Sequence, residues 1–161
     1  MGRGTKIFVF IFVALSCFGC DRASKIAARA AFDGQPPQNV LGNAVIFDYE
    51  ENPGAMLSIG AGLPAKTRFW LFTVGISLLL SILGAFVLVR SRSVAEVAAG
   101  ALAIGGGLGN LYDRLSWNGA VIDFVSIGIG SLRTAIFNFA DIMILIGVLL
   151  YLVTVLRRGS L

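Results

Sequence analysis

Two runs of 21 residues, Phe69–Val89 and Ile136–Leu156, are dominated by apolar side chains, and each is long enough to cross a hydrocarbon core about 30 Å thick. A spanning segment must satisfy its backbone polar groups internally, so runs of this length predict transmembrane helices. Two shorter apolar stretches, Ile7–Cys20 and about Val97–Tyr112, complete a set of four. The first holds 14 residues and is short for a span, but helix continuing through Ala23–Ala28 would carry it to the headgroups at Asp21. With 57% hydrophobic and 14% charged residues and a mean hydropathy of +0.84, the chain reads as an integral membrane protein rather than a soluble globule. The expectation is an all-α membrane protein with one domain over 1–161. Its four transmembrane helices lie near 7–20, 69–89, 97–112 and 136–156, with outer loops at 21–68 and 113–135 and a small extracytoplasmic β element.

That β element rests on the loop before the second span. Gly34-Gln35-Pro36-Pro37-Gln38-Asn39 reads as a turn or loop. Val45, Phe47 and Tyr49 then alternate with Ile46, Asp48 and Glu50, which predicts a strand ended by Asn52-Pro53-Gly54. Arg90-Ser91-Arg92 reads as a tight turn. In the third span Ala101, Gly105 and Gly109 recur every four residues, a spacing that lets membrane helices approach closely.

The net charge of +4 does not indicate a nucleic-acid partner, because the basic residues are scattered singly or in pairs. Arg3, Lys6, Arg90, Arg92, Arg157 and Arg158 fall on one side of the spans. Arg22, Lys25, Arg29, Lys66, Arg68, Arg114 and Arg133 fall on the other. The first set sits in very short connections, where basic residues weigh most on topology, and every acid except Glu96 falls with the second set. Both termini are therefore expected in the cytoplasm, with the acid-bearing loops outside. The first 25 residues also look like a lipoprotein signal peptide, ending in Ser16-Cys17-Phe18-Gly19-Cys20. Cys17 stands where such a peptide usually has Leu, and removal would leave three spans, so the segment is expected to stay. The Cys17-x-x-Cys20 spacing lacks the strand-helix context of a redox motif, and both cysteines read as small helix residues.

The chain contains no histidine, which excludes a Ser-His-Asp triad, a Cys-His pair and a His-x-x-x-His zinc site. Chemistry would have to run on carboxylates. Asp141, in Phe137-Asn138-Phe139-Ala140-Asp141, lies within the last apolar run, where a carboxylate is costly and commonly functional. Asp123, in Val121-Ile122-Asp123-Phe124, lies in the short stretch leading to that run. Two carboxyls a few ångströms apart share a proton, which gives an acid and a base at one pH. Helical spacing puts Asn110, Asp113 and Arg114 on one face and Asn138 with Asp141 on another, which suggests one shared site. The plainer reading is a buried polar network between helices, with Asp113 and Arg114 as a structural ion pair. Asp21 and Lys25 form an i, i+4 pair at the outer end of the first span, either a simple ion pair or part of a pocket rim. Two other readings stay open at this point: a small transporter or proton-relay protein using Asp141, and a Ser-Lys peptidase using Ser24 or Ser58.

Five motifs taken together resemble the lipoprotein signal peptidase (signal peptidase II) family of bacterial membrane aspartic proteases. They are Asp21-x-x-Ser24-Lys25, Asn52-x-Gly54-Ala55-Met56, Gly105-Gly106-x-x-Gly109-Asn110-x-x-Asp113-Arg114, Val121-x-Asp123-Phe124 and Phe137-Asn138-x-Ala140-Asp141. The resemblance implies a catalytic dyad of Asp123 and Asp141, with Asp21, Lys25, Asn52, Gly54, Asn110, Asp113, Arg114 and Asn138 supporting it or binding substrate. It further implies cleavage of prolipoproteins before a diacylglyceryl-modified cysteine, at the outer edge of the bacterial inner membrane among its lipids. No metal or cofactor is implied, and cyclic peptide inhibitors of the globomycin type would occupy the same pocket. Two positions depart from the family pattern: Arg22, where Gln is usual, and Leu57, where Phe is usual. Both bear on substrate fit, and neither touches the dyad.

Overall fold

The computed structural model describes residues 2–55 and 58–159, so Met56 and the departure at Leu57 lie outside the described residues. Among the described residues, four helical segments are long and apolar enough to cross a membrane. The first, α1, runs from Arg3 to Phe32, well past the end of the apolar run at Cys20. Its second half keeps helix because it is rich in alanine, the strongest helix former. The second segment, Ala65–Arg90, starts as α2 (Ala65–Arg68), widens into a π-helical stretch over Phe69–Gly75 and continues as α3 (Ile76–Arg90). The third, α4, runs from Val94 to Ser116. It starts ahead of the apolar run because Ser93 caps it: the Ser93 hydroxyl accepts the Glu96 N–H at 3.1 Å, and the Glu96 carboxylate accepts the Arg92 N–H at 2.8 Å. The last, α5, runs from Phe139 to Gly159.

Small residues decide which helix takes the centre. In α4, 56% of the most apolar 18-residue window is buried, against 11–17% for the other three segments. Its glycines let each neighbour in. A methyl group at Gly105 would sit 2.6 Å from the Ala14 carbonyl oxygen of α1, and one at Gly107 would sit 2.6 Å from a Leu80 methyl of α3. One at Gly106 would sit 2.5 Å from the Ala140 carbonyl oxygen of α5. The expected small-residue repeat is thus the seam on which α1 packs, while the intervening glycines serve α3 and α5.

A four-stranded antiparallel sheet closes one end of the bundle, in the order β1 (Gln38–Val40), β2 (Val45–Asn52), β3 (Val121–Ile129) and β4 (Leu132–Arg133). The expected strand is β2, and it ends where Asn52-Pro53-Gly54 predicts. Gln38 and Asn39, expected in a loop, belong to β1. More important for the site, the stretch containing Asp123 is not a plain lead into the last helix but the strand β3, paired to β2 with Asp123 opposite Glu50. The first three residues of β3 are all buried. Covered on both faces, that end shows no period-two alternation, which is why periodicity did not reveal it. Phe137 bridges to Val125, so Ile136–Asn138 stay extended and α5 begins three residues later than its apolar run.

Candidate active site

The site lies where the sheet meets the ends of α1 and α4 and the start of α5. Its centre is the start of α5. Asn138, the residue before the helix, accepts the Asp141 N–H on its side-chain oxygen at 3.0 Å, and Asp141 accepts the Asn138 N–H on its carboxylate at 3.2 Å. This is a reciprocal capping box with Asn and Asp in place of the usual Ser/Thr and Glu. Asn138 is therefore the cap of α5 and not a residue on its face, and Asp141 stands in the first turn, at the edge of the span rather than at depth. The amide dipoles at a helix N-terminus favour negative charge there.

Asn138 also reaches Asp123. Its side-chain N–H donates to one Asp123 oxygen at 2.6 Å and to the Asn110 side-chain oxygen at 3.1 Å. Asn52, at the end of β2, donates to the other Asp123 oxygen at 3.1 Å. Asn110 donates to Asp141 at 2.8 Å. Both aspartates are thus fixed by a network of three asparagines from β2, α4 and the start of α5. Asp123 is only 3% exposed, whereas Asp141 is partly open. Burial, then the neighbouring Asp141 charge, pushes the Asp123 carboxyl up from the ordinary 3.8 to about 7, against the pull of the Asn52 and Asn138 N–H donors and Lys25.

Behind the asparagines lies a buried ionic cluster. The Lys25 ammonium donates to Asn110 at 2.9 Å and pairs with Asp113 at 2.7 Å and Asp21 at 3.0 Å, with all three charged side chains fully buried. Asp113 also pairs with Arg22 and accepts the Ile122 N–H of β3 at 3.2 Å. Asp21 accepts the Ala140 N–H of α5 at 3.0 Å. The Asp21–Lys25 pair is therefore no surface ion pair. It locks α1 to α4, α5 and β3.

The expected pairing of Asp113 with Arg114 is not formed. Neighbours in a helix point in different directions, and Asp113 turns to α1 while Arg114 turns to the loop after β2. The Arg114 guanidinium donates to the Gly54 carbonyl at 3.0 Å and lies within electrostatic reach of Asp123, Asp141 and Asp113. Gly54 has no room for a side chain, since a methyl there would lie 2.8 Å from backbone atoms of Ser58 and Ile59. Its N–H donates to Asn52 at 2.9 Å, closing an Asx turn that aims Asn52 at Asp123.

All ten expected site residues thus fall in one cluster. Residues that sequence reasoning did not assign to the site are Arg22, Ile122 and Ala140. Ile122 and Ala140 act through backbone N–H groups, which no side-chain pattern announces. Arg22 replaces a usual Gln and adds a second cation on Asp113, with its guanidinium stacked 4.5 Å from the Tyr112 ring centre. A groove of about 530 Å³, lined by Arg22, Arg29, Trp117 and Ile122 among others, runs along the α1 side of this cluster and includes neither aspartate of the pair. The Ser24–Lys25 form of the Ser-Lys reading loses its base, because Lys25 is wholly engaged and the Ser24 hydroxyl donates to the Asp21 carbonyl of its own helix at 2.8 Å.

Comparison with known proteins agrees with the whole architecture. The chain is 32% identical over 152 residues to the lipoprotein signal peptidase of Caldicellulosiruptor bescii, covering 94% of this chain and 93% of that protein. It is 34% identical over 155 residues to the lipoprotein signal peptidase of Sphingopyxis alaskensis, covering 95% and 87%. A solved bacterial membrane enzyme structure superposes with a TM-score of 0.74 at 27% identity, covering 98% of this chain and 90% of that one. The model of the family described as signal peptidase (SPase) II matches residues 13–157, and the chain belongs to that family of membrane peptidases.

Proposed function

We propose that Asp123 and Asp141 are the catalytic dyad of a peptidase that removes signal peptides from prolipoproteins. The relatives named lipoprotein signal peptidase support the substrate class. The observation that carries the dyad is their shared suspension from one residue: Asn138 donates its side-chain N–H to Asp123 and its backbone N–H to Asp141. Their environments differ in the way acid-base work requires. Burial and the neighbouring Asp141 push the Asp123 carboxyl up to about 7, which suits a proton donor, while Asp141 stands partly open at a helix N-terminus, where the dipole favours negative charge.

The reaction follows from that asymmetry. Asp141 takes a proton from a water molecule, whose oxygen bonds to the scissile carbonyl carbon as Asp123 gives its proton to the carbonyl oxygen. In the resulting gem-diol, Asp123 takes back a hydroxyl proton while Asp141 passes its proton to the nitrogen. The C–N bond breaks, releasing acid and amine and restoring both carboxyls. Asn110 and Asn52 hold the carboxyl planes, and the Lys25–Asp21–Asp113 cluster holds Asn110 through the Lys25 ammonium. Arg114 holds the Gly54 carbonyl, two residues from the Asn52 that donates to Asp123.

The bond cut is the one before a diacylglyceryl-modified cysteine. A lipid-anchored substrate is confined to the bilayer surface, and the placement of Asp141 in the first turn of a span supports cleavage at that depth. The dense basic residues at the other end of the bundle support termini in the cytoplasm and a site at the outer face. Cyclic peptides of the globomycin type would compete for the dyad.

Gel-shift processing of a diacylglyceryl-modified prolipoprotein by purified wild type, Asp123→Asn and Asp141→Asn tests the reading. Cleavage by wild type and none by either folded variant is the expected result. Near-normal cleavage by either variant removes the dyad, and an inert wild type removes the substrate class.

A further inference from the structure

The end of the bundle opposite the sheet carries a second groove, of about 480 Å³, between α1 and α3. Arg3 and Lys6 of α1 stand on it, and Ile7, Ala85, Leu88 and Val89 form its apolar walls. The spacing is regular on both helices. Arg3, Lys6 and Ile7 are one turn apart, as are Ala85, Leu88 and Val89, so each helix turns a single face to the groove. Lys6 is held in place, because its ammonium donates to the Ser91 carbonyl at 2.6 Å, at the turn joining α3 to α4. That leaves two of its three N–H donors for a ligand. The first turn of α1 has no acidic side chain, and the positive end of its dipole adds to the two cations. Glu96 in the first turn of α4 is 3% exposed and takes the Arg92 N–H, so it faces away from bulk solvent.

An apolar slot below two cations, one of them held in place, at the end of two spans, has the chemistry of one occupant. We propose that this groove binds an anionic glycerophospholipid of the leaflet opposite the dyad. Its phosphate lies between Arg3 and Lys6, and the upper acyl chain runs along Ile7, Leu88 and Val89. The walls belong to membrane spans, so the material available to fill them is lipid. A zwitterionic headgroup would bring its own cation to the two basic residues, which disfavours it. The site would tie α1 to α3 at the end away from the catalytic cluster, and it does not depend on the dyad assignment.

Native mass spectrometry of the purified full chain, after incubation with equal amounts of phosphatidylglycerol and phosphatidylcholine, tests the proposal. Wild type is expected to retain phosphatidylglycerol selectively. Each cation removed should weaken retention about fivefold, so Arg3→Gln with Lys6→Gln should weaken it about 25-fold. Ala85→Trp fills the slot without changing charge and should also abolish retention, while Arg90→Gln, outside the lining, should change it less than about twofold. If the double variant does not fold, Ala85→Trp decides alone. Equal retention of phosphatidylcholine by wild type overturns the proposal, as does undiminished retention in folded Ala85→Trp or in the folded double variant. Displacement of the adduct by an equal concentration of inorganic phosphate would identify a free-anion site and overturn the lipid.

Discussion

Asn138 and Asp141 cap the same turn of α5 reciprocally, Asp141 N–H to the Asn138 side chain at 3.0 Å and Asn138 N–H to the Asp141 carboxylate at 3.2 Å. The second side-chain group of Asn138 is committed to Asp123. One residue therefore starts a transmembrane helix and spaces two carboxyls. Asn138→Ser keeps a good helix cap but has no amide N–H to give Asp123, whereas Asn138→Ala removes both. The alanine variant should lose about 1 kcal/mol of stability and the serine variant much less. Both should lose peptidase activity. Melting in detergent, followed alongside processing, separates the two effects, and full activity in the serine variant would mean the bridge to Asp123 is dispensable.

Replacing either aspartate of the proposed dyad by Asn keeps size and removes one acid-base partner. Loss of a positioned proton-transfer group costs about 10²–10⁴-fold. Initial rates of prolipoprotein cleavage should fall by that factor in Asp123→Asn and in Asp141→Asn. The double variant should be little worse than either single one, since the two act as a unit. Additive losses would argue for independent roles.

The proton on Asp123 sets a pH dependence. Its folded pKa of about 7 lies above the ordinary 3.8, so between those values the folded protein keeps a proton that the unfolded chain has released. Stability from this group is present below about 4 and declines as pH rises to about 7. The melting temperature of wild type should slope downward across that window, and Asp123→Asn should flatten the slope. Cleavage rate should fall on the alkaline side with an apparent pKa near 7. A rate that rises through pH 7 would place the resting proton elsewhere.

Among the described residues Lys25 is the only cation fully buried between Asp21 and Asp113. Lys25→Met leaves the buried Asp21 carboxylate without a cation and Asp113 with Arg22 alone, and breaking a buried pair from one side costs about 3–5 kcal/mol. The variant should melt far below wild type or fail to fold. Lys25→Arg should not rescue it, because a planar guanidinium does not fit a site cut for a compact ammonium. Near-normal melting of Lys25→Met would show that the cluster contributes little.

Gly109 and Gly19 make a matched comparison. A methyl at Gly109 would run into the Asp21 carboxylate, whereas one at Gly19 meets nothing within 4 Å. Gly109→Ala should lower the melting temperature and the cleavage rate together, by disturbing the cluster behind Asn110. Gly19→Ala should leave cleavage intact and raise stability by about 0.5–1 kcal/mol. Equal behaviour of the two would remove the close-packing argument for α4.

The amino-acid sequence by itself determined the four spans, because apolar length is local and a bilayer leaves one way to satisfy a 21-residue backbone. It determined β2 through alternation, a close-packing face on α4 through Gly105 and Gly109, and the catalytic candidates, because an acid in an apolar run is visible without coordinates. Tertiary structure alone decided how those parts meet. That Asp123 sits on a strand depended on burial from both faces, which erases the period-two signal. That Asn138 caps α5 depended on Phe137 pairing with Val125, a contact that holds Ile136–Asn138 extended against their apolar tendency toward helix. That Asp113 pairs with Arg22 and Lys25 and not with Arg114 depended on which side of α4 faces α1. Ion pairing follows direction in space, and adjacency in the chain does not report it.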